Sequence, residues 1–103
     1  MRKIKVFLAD DHPIVRKGLM SLLVEQTDIV VVGEAENGRE ALTKIEQLQP
    51  DVVVMDITMP LLNGLEATRQ IKRRWPSIHV VMLTIHTTEE YIFQILQAGA
   101  SGY

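Results

Sequence analysis

Four short apolar runs constrain this chain more than any other feature: Ile4 to Ala9, Ile29 to Ala35, Asp51 to Ile57 and Ile78 to Leu83. Each has the length of one strand. Val30, Val31 and Val32 stand in a row, as do Val52, Val53, Val54 and Met55, and Val80, Val81 and Met82. A strand with one wet face alternates polar and apolar residues, so continuous runs predict strands buried on both faces. Between the runs, apolar positions recur at helical spacing. They are Ile14, Val15, Leu19, Leu22 and Leu23; then Ala41, Leu42, Ile45 and Leu48 after Asn37-Gly38; then Leu65, Thr68, Ile71 and Trp75 after Asn63-Gly64; and Ile92, Ile95, Leu96 and Gly99 after Thr87-Thr88. Pro50, Pro76 and Gly99 with Gly102 supply stop signals. Thr88 followed by Glu89 and Glu90 places negative charge in a first helical turn, where the helix dipole favours it. Strand and helix alternate with short connections, which predicts an α/β fold: a doubly wound parallel sheet with helices on both faces. A fifth strand is expected to begin near Gly102-Tyr103. Four strands alone would leave an edge uncovered, so residues 1–103 are expected to form one domain lacking its C-terminal elements.

The 103 residues suffice for one domain and not for two ordinary ones. At 47% hydrophobic types the chain is too apolar to be disordered. Eleven Lys and Arg against thirteen Asp and Glu leave a formal charge of -2, with no long basic run to grip nucleic acid. Lys72, Arg73 and Arg74 read as the solvated end of a helix. No cysteine is present, which excludes a disulfide framework, a thiol nucleophile and a thiolate metal site, and fits a reducing cytoplasm. No apolar stretch reaches the roughly 18 residues that span a bilayer. Lys5, Asp10 and Asp11 interrupt the start, so no signal peptide is read there.

In an open parallel sheet, ligands bind beyond the carboxyl ends of the strands. The residues to weigh are therefore Asp10, Asp11 and His12 after the first run, Asp56, Ile57 and Thr58 after the third, and Thr84, Ile85 and His86 after the fourth. One acidic residue at a strand end is ordinarily a turn or helix cap. Two in succession after one buried strand and a third after another predict converging carboxylates, which repel unless a cation joins them. An all-oxygen set favours Mg²⁺ or Mn²⁺. Thr84 adds a hydroxyl at the same edge, able to donate to a phosphoryl oxygen and equally able to cap a helix. Neither glycine signature of nucleotide sites is present: there is no G-x-x-x-x-G-K-[ST], and Ala9-Asp10-Asp11-His12-Pro13 replaces G-x-G-x-x-G. His12, His79 and His86 do not have metal-ligand spacing, and none is taken as a ligand.

Lys5 to Leu19, with Ala9-Asp10-Asp11-His12-Pro13 at its centre, resembles the opening of a response regulator receiver domain of the NarL/FixJ class. Asp51 to Glu66, containing Met55-Asp56-Ile57-Thr58-Met59-Pro60 and Asn63-Gly64, resembles that family's phosphorylation segment. Val80 to His86 and Ala98 to Tyr103 match its remaining landmarks, so the resemblance covers the whole chain. It implies a flavodoxin-like (βα)5 fold with strand order 2-1-3-4-5, the last strand and helix being largely absent here. It implies that Asp56 is the phosphoacceptor, that Asp11, Asp56 and the Thr58 backbone carbonyl ligate Mg²⁺, and that Asp10 holds the metal through water. Thr84 would be the switch hydroxyl and Tyr103 the switch aromatic, with Pro60 and Gly64 shaping the loop past the acceptor. The family's phosphate-neutralising lysine falls shortly beyond the position of Tyr103. Lys17, Lys44 and Lys72 each belong to a helix and do not replace it.

The function so implied is acceptance of a phosphoryl group from a sensor histidine kinase with Mg²⁺. Self-phosphorylation and autodephosphorylation would be the activities, rather than turnover of a free substrate. Activation would drive homodimerisation, and DNA would be reached through a C-terminal helix-turn-helix domain outside this chain. Two alternatives stand beside it. One is a receiver-like interaction module independent of phosphorylation. The other is a small-molecule Mg²⁺-dependent phosphatase or phosphotransferase, although such enzymes commonly carry D-x-D where this chain has adjacent Asp10 and Asp11, and no cap domain is present to enclose a substrate.

Overall fold

A computed structural model describes residues 3–83 and 89–103, the side chains of 89–91 excepted. Four strands alternate with four helices: β1 (Ile4–Ala9), α1 (Pro13–Val24), β2 (Ile29–Ala35), α2 (Gly38–Leu48), β3 (Val52–Asp56), α3 (Gly64–Arg74), β4 (His79–Leu83) and α4 (Glu89–Gln97). All strand pairs are parallel, in the order β2-β1-β3-β4. The expected fifth strand is announced at the chain's end, where Gly102 forms a parallel bridge with Val81. Ser101 donates its amide to the Val80 carbonyl at 2.7 Å and the Gly102 carbonyl accepts from Met82 at 2.9 Å.

Local chemistry sets the helix starts. Asn37 and Asn63 each cap the following helix, their side-chain oxygens accepting from the amides of Glu40 (2.8 Å) and Glu66 (3.0 Å). The same glutamates lie in the first turn, where the macrodipole favours them. Pro13 opens α1, where its missing N–H costs nothing.

The strand order explains how the core is distributed. The step from β1 to β2 runs one way across the sheet, and those from β2 to β3 and β3 to β4 run the other. With right-handed crossovers, α1 therefore lies on one face and α2 and α3 on the opposite one. On the latter face Phe7, Val53, Met55, Val80 and Met82 are fully buried against Ala41, Ile45, Ala67, Ile71 and Ile95. The expectation of strands buried on both faces holds for Val6 to Ala9 of β1 and fails for β2, where only Ala35 is fully buried, and for β3 and β4. Val52, Val54, Val81 and Leu83 alternate with the buried residues and are only partly covered. Among the described elements only α1 lies on their side, and it rests chiefly on β2. For the same reason α1 buries no residue fully: Ile14 is 85% exposed and Leu22 65%. Among the described residues no helix is long and apolar enough to cross a membrane.

Candidate functional site

The register of the two central strands builds the site. Ala9 pairs with Met55, so Asp10 and Asp56 emerge side by side at the carboxyl edge. The amide of Asp10 still belongs to the sheet, donating to the Ala35 carbonyl at 3.0 Å. Its buried carboxylate folds back, and Oδ1 accepts from the His12 amide at 2.8 Å. This tight turn ends β1 and sets Asp11 between Asp10 and the start of α1. Across the gap, Asp56 Oδ1 accepts from the Thr58 amide at 3.3 Å.

Ligand atoms of Asp10, Asp11, His12 and Asp56 all lie within 4.8 Å of one another. The three aspartates named from the strand ends are thus brought together. His12 joins them, although its spacing gave no reason to treat it as a ligand. Its Nδ1 stands 3.0 Å from Asp11 Oδ1, 3.2 Å from Asp10 Oδ1 and 3.9 Å from Asp56 Oδ2. The one signal available in the sequence was its position immediately after the acidic pair.

The cluster strains its own ionisation. The Asp56 carboxyl is pushed from 3.8 up to about 6. Burial is the largest cause, followed by the Asp10 charge, with the charge and hydrogen bonding of Asp11 adding to it. The Thr58 amide works in the opposite direction. Among the described residues Asp11 Oδ1 is buried without a hydrogen-bond partner, with His12 Nδ1 3.0 Å away. An orphaned carboxylate oxygen beside two further carboxylates is what a hard cation would satisfy. Oxygen donors from Asp10, Asp11 and Asp56 fit Mg²⁺ or Mn²⁺ by chemistry and spacing.

The loop past Asp56 is held tightly. The Leu62 amide donates to the Pro60 carbonyl at 2.8 Å across Leu61, whose φ of 68 is the strained sense for a three-residue turn. Gly64 donates to the Ile57 carbonyl at 2.7 Å. A methyl group on Gly64 would run into the carbonyl of Asp56, and one on Gly38 into that of Leu62. Both glycines are therefore required by close backbone approach.

The other expected site residues are less central. Thr58 sits at the cluster through its amide. Tyr103 lies past the Gly102 bridge with its side chain exposed. Thr84 lies outside the described residues. Lys44 and Lys72 direct their ammonium groups elsewhere: Lys44 to the Glu34 carbonyl at 2.8 Å, and Lys72 to the carbonyls of Pro76 and Ile78 at 2.8 and 2.7 Å.

Residues 6–103 match the family model described as the response regulator receiver domain. The transcriptional regulatory protein DegU of Brevibacillus brevis is 42% identical over 101 residues, covering 98% of this chain and 43% of its own length. The response regulator GacA of Pseudomonas syringae pv. syringae is 46% identical over 97% of this chain and 47% of its own. The chain spans about half the length of the curated relatives it matches. Among solved structures, a LuxR-family two-component response regulator from Aurantimonas sp. SI85-9A1 superposes with a TM-score of 0.93 at 38% identity, covering 98% of this chain and 72% of that one. The response regulator domain of Thermotoga maritima CheB gives 0.92 at 39% identity, covering 98% and 76%.

Proposed function

Because the chain belongs to the response regulator receiver family of two-component systems, we propose that its acidic cluster accepts a phosphoryl group on Asp56. The observation that carries this reading is the convergence of Asp10, Asp11 and Asp56 at one sheet edge. Asp56 is the member next to the loop that Gly64 and the tight turn at Leu61 hold in place. Residues 1–103 are read as one receiver unit.

Asp56 has to be ionised to act as a nucleophile. With its carboxyl at about 6 it is roughly nine-tenths ionised at pH 7. Its elevated pKa also makes it more basic, and so more nucleophilic, than an ordinary aspartate. In the proposed transfer, a carboxylate oxygen of Asp56 attacks the phosphorus of a phosphohistidine. The P–N bond breaks, the imidazole departs and takes a proton from solvent, and an acyl phosphate remains on Asp56. Asp11, Asp56 and the Thr58 carbonyl would hold Mg²⁺ directly and Asp10 through water. When bound, the cation would supply charge neutralisation for the transferring group. Thr84 and Tyr103 would report the modification to the surface formed by β4, α4 and the segment at Gly102.

A histidine kinase as donor, homodimerisation on activation, a transcriptional output through a DNA-binding region outside this chain and a cytoplasmic setting belong to the same proposal. They are supported by the relatives named as response regulators and transcriptional regulators. Intact mass after incubation with acetyl phosphate and Mg²⁺ tests the chemistry. One phosphoryl group should be gained, lost with Asp56→Asn and lost with EDTA. A gain that persists in Asp56→Asn would place the acceptor elsewhere. No gain from acetyl phosphate or from a phosphorylated kinase would favour a module that works without phosphate.

A further inference from the structure

Arg16 occupies the first turn of α1 and is not one of the cluster's carboxylates or ligands. Its side chain is nonetheless only 15% exposed. Its Nη1 donates to the backbone carbonyl of Asp10 at 2.6 Å, and its Nε donates to Glu34 Oε1 on β2 at 3.0 Å. Glu34 is itself braced, since its backbone carbonyl accepts from Lys44, and Lys44 also pairs with Glu40 at 3.3 Å. A guanidinium makes such bonds in two fixed directions at once, whereas an ammonium on a flexible stem is a point charge.

The bonds fall at a particular place. The Asp10 amide is tied to Ala35 in the sheet, and its carbonyl is tied to Arg16. The peptide unit between Asp10 and Asp11 is thereby held against rotation just where the ladder ends. Rotation of that unit would swing Asp11, whose carboxylate lies within the cluster. We propose that Arg16, braced by Glu34, is a positioning residue that fixes the Asp10–Asp11 peptide and so sets the separation of the Asp11 and Asp56 carboxylates. The plain alternative is a staple joining α1 to β2 with no influence on the cluster. The inference rests on the cation-assisted reading of the cluster, and its test includes one readout that needs no cation.

The experiment compares wild type with Arg16→Met, Arg16→Lys and Glu34→Gln, using Arg69→Met, a surface arginine paired with Glu66 along α3, as control. Mn²⁺ affinity is read from the electron paramagnetic resonance of free Mn²⁺. Hydrogen exchange of the His12 amide, which bonds to Asp10 Oδ1, is followed by NMR in metal-free protein. Arg16→Met is expected to weaken Mn²⁺ binding about tenfold, the scale expected for sub-ångström misplacement of a functional group, and to quicken His12 exchange. Arg16→Lys and Glu34→Gln should fall between Arg16→Met and wild type, and they carry the test if Arg16→Met does not fold. Wild-type Mn²⁺ affinity with unchanged His12 exchange in the folded variants overturns the proposal, as does a loss of thermal stability with affinity intact. If wild type binds no Mn²⁺ while His12 exchange still quickens in Arg16→Met, the cation-assisted reading falls and the positioning role stands.

Discussion

Replacing the proposed acceptor should make the metal-free protein more stable. The Asp56 carboxyl lies at about 6 in the fold against 3.8 ordinarily, so between those values the folded protein retains a proton that the unfolded chain has released. Stability must then fall as pH rises through that window, and the loss is complete above about pH 6. A difference near two units at about 1.36 kcal/mol each sets a ceiling of about 3 kcal/mol. The side chain is 17% exposed, and solvent and salt screen the cluster, which reduces the figure to about 1–1.5 kcal/mol. Asparagine at this position does not titrate, and its Oδ1 can still accept from the Thr58 amide. Asp56→Asn should therefore match wild type near pH 3.5, gain through pH 4 to 6, and level off by pH 7. At about 4–8 °C per kcal/mol for a domain of this size, thermal denaturation in EDTA at pH 7 should show a rise of about 4–12 °C.

Mg²⁺ provides the internal control. At ten times its Kd it should stabilise wild type by about 1.4 kcal/mol and leave Asp56→Asn largely unmoved, closing the gap. A variant no more stable than wild type at pH 7, or a difference that is flat from pH 3.5 to 7, would refute the electrostatic account of the cluster.

Three further perturbations probe the surroundings. Gly64→Ala would drive a methyl into the Asp56 carbonyl; backbone cannot yield as a side-chain tip does, so a loss of about 3 kcal/mol together with weakened Mn²⁺ binding is expected, read by urea denaturation and metal titration. Leu61 is 71% exposed with φ 68, so Leu61→Gly should relieve backbone strain and raise stability by about 0.5–1 kcal/mol net of the glycine's added unfolded-state entropy; a destabilised Leu61→Gly would show that the side chain contributes packing. Lys72→Met removes the donor to the Pro76 and Ile78 carbonyls that holds the turn between α3 and β4, and about 1–2 kcal/mol should be lost with Mn²⁺ affinity unchanged, since these bonds do not touch the acidic cluster.

What could be read from the sequence and what could not divide along a physical line. The acidic cluster was legible because two strand ends and one adjacency suffice to place it: Ala9 precedes Asp10, Met55 precedes Asp56, and the pairing of Ala9 with Met55 does the rest. The element order was legible for a similar reason, since each run and each helical period is a local signal bounded by its own caps and stops. The half-covered face of β3 and β4 was not. Val52 and Val54 have the same chemistry as Val53, and nothing in a valine records whether a helix will cross above it. Arg16 and Glu34 are eighteen positions apart and meet only once α1 lies on β2. His12 was set aside on spacing, which is a rule for ligands supplied by one local segment; its imidazole reaches Asp56 through the register of two strands.

The same line separates where this fold is comfortable from where it is strained. On the α2 and α3 side, Phe7, Val53, Met55, Val80 and Met82 are sealed among apolar neighbours. At the carboxyl edge a repelling set of carboxylates includes the buried Asp11 Oδ1, and Leu61, five positions past Asp56, holds a positive φ. Each is individually unfavourable, and they persist because the strands beneath them fix the backbone on which they sit. Strain of this kind leaves the cluster with most to gain from an added positive charge, so binding a cation and retaining a destabilised fold are two consequences of one arrangement. On that argument, variants that ease the edge, Asp56→Asn foremost, should trade metal affinity for stability. Variants that loosen the opposite face, such as Ile71→Val, should lower stability while leaving metal affinity in the folded protein unchanged.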